Sequence, residues 1–330
     1  MNGFSIIICS YNPNEDIFFR LLTAIDNFDT DEISYEIIIV DNNSDTPLST
    51  INFVQEFLST HSNAKLLIEK KPGLTSARIA GILHSEFDWL IFFDDDNEPN
   101  PDYLQKAVLS INQYPTVGAW GPGEVEVEFT QTVPIWLYGE KHLFQQRKEE
   151  YTTFASKMEW QDFYPFGTGL IIRRDIAQIY VKRVHEKRYT LSDRKGKSLA
   201  SGGDVQLVLT GIEQTYSAGV VTGLKLTHLI DGSKTRMKYL LKMQYGTASA
   251  YIKAFNQVFE HAKIPVEELS NKHVFWKVYS LYRIHRMKMK KEQFKLFFAT
   301  KMGEINARIE ASGDSKPLLL RLYEKRIHVS

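Results

Sequence analysis

The chain has 330 residues, 43% of them hydrophobic and 24% charged. That composition excludes disorder as the main state and leaves room for about two domains at roughly 150 residues each. Forty Lys and Arg balance forty Asp and Glu overall, but residues 234–330 hold twenty basic against eight acidic side chains, so the last third is net basic and the remainder net acidic.

The only cysteine, Cys9, excludes a disulfide framework, and no apolar run reaches the ~18 residues that span a bilayer. The first strand opens at Phe4, with no basic leader before it. A cytoplasmic location is expected.

In chain order, Ser5–Ser10 is an apolar run of strand length. Asn12-Pro13 then reads as an N-cap and first-turn proline for a helix whose Ile17, Leu21, Leu22, Ile25 and Phe28 repeat at helical spacing. Further strands are expected at Glu36–Val40, Lys65–Glu69 and Trp89–Phe93, and helices over Leu48–Leu58, over Leu74–Leu83 and from Pro101 to about Gln113. Strands alternating with helices predict an α/β fold with a parallel sheet covered on both faces. Glu124–Phe129 alternates polar and apolar residues like a half-exposed strand, Phe166–Arg173 and Gly223–Thr227 read as strands, and Gly202-Gly203 opens a helix through Gly211. Amphipathic helices follow near 235–260, 272–289 and 292–310. The expected domains are 1–233, in halves 1–120 and 121–233, and a basic, mainly helical region 234–330.

Ligands of open α/β sheets bind outside the carboxyl ends of the strands. The first four strand ends here carry Ser10-Tyr11-Asn12, Asp41-Asn42-Asn43-Ser44-Asp45, Lys70-Lys71-Pro72-Gly73 and Asp94-Asp95-Asp96-Asn97. Each alone is an ordinary turn composition; together they suit a nucleoside diphosphate and its cation. Three successive carboxylates repel one another unless a cation screens them, and Mg²⁺ typically takes one or two protein carboxylates plus phosphate oxygens. Gly73 starts a helix flanked by Lys70, Lys71 and Arg78, where backbone N–H groups and cations attract phosphate. Asp41 either contacts a base or ribose or closes its own loop as an Asx-turn.

This ordered set resembles the motifs of family 2 glycosyltransferases: Ser-Tyr-Asn after the first strand, Asp-Asn-x-Ser after the second, Gly-x-x-x-Ala-Arg at Gly73–Arg78 and the Asp-x-Asp turn. Phe166-Gly167-Thr168-Gly169 with Arg173-Arg174 resembles the acceptor-side strand of that family, and Gly202-Gly203-Asp204 its base-bearing segment. The resemblance covers roughly residues 3–230. It implies the GT-A nucleotide-sugar-binding fold and metal-dependent, inverting, non-processive transfer of one sugar from a nucleotide-sugar to an acceptor hydroxyl. The family's usual setting is assembly of surface polysaccharides or glycoconjugates. It further implies that Ser10, Tyr11, Asn12, Asp41, Asn43, Lys71, Gly73, Arg78, Asp94 and Asp95 bind the donor, that Asp94, Asp96 and His228 hold Mg²⁺ or Mn²⁺, and that Asp204 is the general base. The sequence departs from the family pattern at Asn97, where Asp is common, at Gly203, where Glu is common, and at Ile79, where Asn is frequent.

Asp204 also suits an N-cap, and His228 a satisfied core histidine. Trp120, Trp136, Trp160, Phe163, Tyr164 and Phe166 are acceptor-side aromatics or core, with Trp160 the candidate for acceptor contact. The acceptor is expected to be a carbohydrate or a lipid-linked molecule. The basic cluster Arg283, Arg286, Lys288, Lys290 and Lys291 fits an anionic membrane surface as well as a solvated helix face. Nucleic acid is not an expected partner. The competing readings are a silent sugar-nucleotide-binding scaffold or sensor and a sugar nucleotidyltransferase; the latter lacks its Gly-rich loop after the first strand.

Overall fold

A computed structural model describes residues 3–30, 32–191, 193, 194, 199, 201–266 and 270–329. The chain divides into two compact units, Met1–Lys187 with Leu207–Gly232, and Arg188–Gln206 with Ser233–Ser330.

The first unit is built on one mixed sheet. Its strands are β1 (Phe4–Ser10), β2 (Tyr35–Asp41), β3 (Ala64–Ile68), β4 (Trp89–Asp94), β5 (Asn97–Pro99), β6 (Val117–Phe129), β7 (Arg147–Lys148), β8 (Thr153–Ala155), β9 (Leu170–Arg173) and β10 (Ser217–Ile230). The spatial order is β3-β2-β1-β4-β9-β6-β10-β5, with β7 on β6 and β8 on β10. The first four of these neighbours pair in parallel; β9 then runs antiparallel to both β4 and β6, and β5 antiparallel to β10. Phe4, Ile6, Ile7 and Ile8 of β1 are fully buried. A central parallel strand covered on both faces has no solvent side to alternate toward, hence its unbroken apolar run. Between Glu124 and Phe129, by contrast, Val125 and Val127 are buried while Glu126 and Glu128 are exposed, as the alternation predicted.

Helices α1 (Glu15–Asp26), α2 (Asn52–Thr60), α3 (Leu74–Leu83), α4 (Tyr103–Gln113), the short α5 (Ile135–Tyr138) and α6 (Arg174–His185) belong to this unit. The N-cap of α1 is Asn14, whose Oδ1 accepts the Ile17 N–H at 3.3 Å, and not Asn12. Asn12 sits at φ 48° and is held by the next loop instead. Asn14 wins because Glu15 and Asp16 then fall in the first turn, where the helix dipole favours them. β9 is shorter than the expected Phe166–Arg173 and β10 far longer than Gly223–Thr227. A register shift between Val221 and Lys225 breaks the pattern of β10 midway.

Helix α7 (Gly203–Glu213) is followed, beyond β10, by α8 (Met237–Val258), α9 (Asn271–His285), α10 (Lys291–Ser312) and α11 (Leu318–Ile327). The second unit packs around Tyr245, Val274, Val278, Met302, Ile305 and Ile309. Among the described residues no helix is long and apolar enough to cross a membrane.

Candidate active site

The parallel register sets Ser10 beside Asp41 and Cys9 beside Asp94, so the loops after β1, β2 and β4 leave from one edge of the sheet. Buried amides and carboxylates then tie these loops together. Asn42 donates through Nδ2 to the carbonyls of Glu69 (3.0 Å) and Lys71 (2.8 Å) and accepts the Gly73 N–H at 2.8 Å, stapling the β2 loop to the β3 loop. Asp41, 2% exposed, accepts the N–H of Ser44 (2.8 Å) on one oxygen and that of Leu48 (2.9 Å) on the other. It closes its own loop, as an Asx-turn does. Asn12 exchanges hydrogen bonds with the Asp45 side chain and backbone, both at 2.8 Å. Tyr11 and Asn43 are exposed on this edge, Asn43 at φ 63°.

Gly73 caps α3 with φ 121° and ψ 139°, a conformation closed to residues with a Cβ. Lys70 and Lys71 are exposed beside it, and Arg78 is 4% exposed one turn into the helix. The Cys9 thiol reports on the surroundings of the β1 end. Burial pushes it up to about 12, the Arg78 charge opposes that rise, and Asp94 and Asp95 add to it.

Side-chain hydrogen bonds tie the Asp turn to its surroundings. Asp95 accepts the Ser10 hydroxyl at 2.8 Å, Asp94 faces the Thr168 hydroxyl at 3.5 Å, and Asp96, 5% exposed, accepts Asn97 Nδ2 at 3.1 Å. Asn97 is wholly buried, and its Oδ1 accepts the Asp94 N–H at 3.1 Å. The amide therefore closes the turn and donates to a carboxylate, which an aspartate in its place could not do while ionised. Thr168 is delivered by the chain entering β9. There Gly169 adopts φ +69°, and its carbonyl accepts the buried Tyr103 hydroxyl at 2.6 Å. A Cβ on Gly169 would lie 2.6 Å from both Leu226 Cδ2 and that hydroxyl oxygen.

The antiparallel β5–β10 pairing sets His228 opposite Asn97. His228 Nδ1 lies 2.9 Å from the Phe144 carbonyl, which can only accept, so Nδ1 carries the proton. Nε2 then faces Asp96 Oδ1 at 3.4 Å. An imidazolium proton or a shared cation makes that approach attractive. Orientation of a ligating imidazole by a carbonyl behind it is the usual arrangement at metal centres. Among the described residues no three His, Cys, Asp or Glu side chains gather as a ready-made metal cage. The Asp96–His228 pair does fit a cation that takes most of its ligands from diphosphate and water.

Of the aromatic candidates, Trp120 is fully buried and packs on Tyr114 and Phe154, so it is core. Trp136 is half-buried. Half-buried Trp160 stands edge-on to Tyr164 (5.7 Å) and 6.2 Å from Phe166, whose ring also lies 4.5 Å under the Arg147 guanidinium. Phe163 is edge-on to Tyr164.

In the second unit, Asp204 lies in the first turn of α7, its Oδ1 accepting the Val205 N–H at 2.9 Å. The fully buried Asp193 accepts the N–H groups of Gly202 and Gly203, one on each oxygen and both at 2.8 Å. Asn42 and Asn97 in the first unit and Asp193 in the second thus hold neighbouring candidate residues in place, and neither Asn42 nor Asp193 was given such a role from sequence. An amide or carboxylate that satisfies distant backbone groups leaves no local spacing signal.

Residues 5–179 match the family model described as Glycosyl transferase family 2. The glycosyltransferase AglE of Haloferax volcanii is 32% identical over 109 residues, 33% of this chain and 35% of AglE. Polypeptide N-acetylgalactosaminyltransferase 11 of Xenopus tropicalis is 32% identical over 115 residues, 34% of this chain and 19% of that protein. The chain thus aligns with about a third of the first relative and a fifth of the second. In fold it is similar to the mannosyltransferase PcManGT of Pyrobaculum calidifontis, solved with GDP-Man and Mn²⁺. That likeness has a TM-score of 0.52 and 16% identity, and covers 98% of this chain and 78% of that one. It bears out the expected GT-A architecture.

Proposed function

Since the chain belongs to glycosyl transferase family 2, we propose that it transfers a sugar from a nucleotide-sugar donor to an acceptor hydroxyl with inversion, assisted by a divalent cation. The observation that carries this reading is the Asp96–His228 pair, 3.4 Å apart beside the Asp94–Asn97 turn, on the unit that also presents the N-terminus of α3. PcManGT, bound to GDP-Man and Mn²⁺, supports the same ligand classes for this chain. A donor set of one carboxylate and one imidazole suits Mn²⁺ better than the oxygen-seeking Mg²⁺.

Departure of a diphosphate builds negative charge on its oxygens. Asp96 and His228 would hold the cation, which when bound would supply Lewis-acid stabilisation of that charge. Gly73 leaves the α3 N-terminus open to the diphosphate, and Arg78 and Lys71 add positive charge nearby. Tyr11 and Asn43 are offered to the nucleoside from the exposed edge, and Asp41 fixes the loop that carries Asn43. Asp204 removes the proton from the attacking hydroxyl. The acceptor we propose is a carbohydrate or lipid-linked glycan in surface polysaccharide or glycoconjugate assembly, with Trp160 as its aromatic contact.

The test is binding and hydrolysis of UDP-, GDP- and dTDP-sugars with and without Mn²⁺ or Mg²⁺. Selection of one donor in a metal-dependent way is the expected result. Binding without hydrolysis or transfer to any acceptor would instead identify a scaffold, and no binding at all would overturn both readings.

A further inference from the structure

Helix α9 has two faces of different chemistry. Val274 and Val278 are buried in the core of the second unit. On the other side Phe275, Trp276, Tyr279 and Tyr282 are 53%, 55%, 46% and 52% exposed. At about 100° per residue, positions 275, 279 and 282 form one line along the helix, with 272, 276 and 283 beside it. The aromatic residues are consecutive in space. Phe275 and Tyr279 lie parallel within 7°, their centroids 6.4 Å apart, and Trp276 stands edge-on to both at 5.7 and 5.8 Å. The exposed side chains of Lys272 and Arg283 bracket this slab at its two ends. From residue 271 to 291 the sequence has seven Lys and Arg and no Asp or Glu.

Contiguous exposed aromatic surface of this kind marks an interaction site. The bracketing charges select the partner. A second copy of the chain pairing through the same face would set these cations against one another, because a two-fold interface is self-complementary. Stacking of nucleic-acid bases needs free ring faces, whereas here Phe275, Trp276 and Tyr279 already pack on one another. A flat lipid boundary asks for neither. Trp and Tyr favour the headgroup level, and lysine and arginine the phosphates around it. We propose that this face of α9 docks the protein on an anionic lipid membrane, with Trp276 and Tyr279 at headgroup depth and Lys272 and Arg283 on lipid phosphates. Exposed basic residues past the end of the helix, Lys288 and Lys290 among them, extend the positive field.

The experiment is co-sedimentation of the full chain with phosphatidylcholine vesicles, and with vesicles in which about a third of the lipid is phosphatidylglycerol. Pelleting should be far stronger with the anionic vesicles. Lys272→Gln and Arg283→Gln should each weaken it about five-fold, and Trp276→Ala about ten-fold, with thermal unfolding unchanged because all three side chains are exposed. Absence of lipid-dependent pelleting would overturn the proposal, as would pelleting retained in full by Trp276→Ala/Tyr279→Ala. A lipid-free dimer that the same double substitution dissolves would assign the face to a second copy. Binding of single-stranded RNA without vesicle binding would assign it to nucleic acid.

Discussion

Glu36, near the start of β2, shows how one side chain can hold three strands in register. It is 7% exposed. Its Oε1 accepts the Ser5 hydroxyl of β1 and the Glu86 N–H, both at 2.6 Å, and Lys65 of β3 reaches Oε2 at 2.8 Å. Burial alone would raise its pKa, but the bonds from Lys65, Ser5 and Glu86 outweigh burial and lower it. A lowered folded-state value means stability that is complete above the unfolded value and lost as pH falls through the folded one. Glu36→Gln should therefore cost about 2 kcal/mol at neutral pH, and the cost should shrink toward zero in acid, where the wild-type carboxylate protonates too. Urea unfolding of both proteins across that range checks the sign. Asp204 calls for a functional test: Asp204→Asn should leave donor binding nearly intact while transfer falls about 10²- to 10⁴-fold. Equal rates in mutant and wild type would remove Asp204 from the mechanism.

Among the elements, α3 runs over Leu74–Leu83 as its pattern predicted, while α6 and α11 escaped the sequence reading. The signal for α3 was strong because Gly73 and an apolar run bound it on one side and His84-Ser85 on the other. Helix α6 follows β9 without a loop, Arg173 ending the strand and Arg174 opening the helix, so no turn residue announces it. The three-residue β5 was too short to read, yet it is the strand that brings His228 to the Asp turn. Asp193 has the same kind of invisible influence on α7. Removing its carboxylate strands two buried N–H groups at the start of that helix. Asp193→Ala should cost about 2–4 kcal/mol in urea unfolding and slow transfer, and Asp193→Asn, which keeps one acceptor, should lose less of each. Equal losses in the two variants would show that the paired acceptors are not what holds the helix start.

The sequence motifs carried the family and the sheet because both depend on local pattern: apolar strands, polar strand ends and their order. How the chain divides depends instead on contacts between distant segments. Arg188–Gln206 groups with Ser233–Ser330 although Leu207–Gly232 returns to the first unit, and a boundary placed in chain order at 233 cannot express such an excursion. The chain has a single thiol, the half-buried Cys9, and burial pushes its pKa up to about 12, so far less of it is thiolate at pH 7 than in an ordinary cysteine. Titration with Ellman's reagent should thus find almost no fast-reacting sulfur in the folded protein and one in denaturant. With that outcome the native protein would serve as a blank for thiol labelling. Ser280→Cys, on the exposed surface of α9, would accept a dye as the lone fast target, and its emission could follow that helix without any wild-type residue having to be removed first.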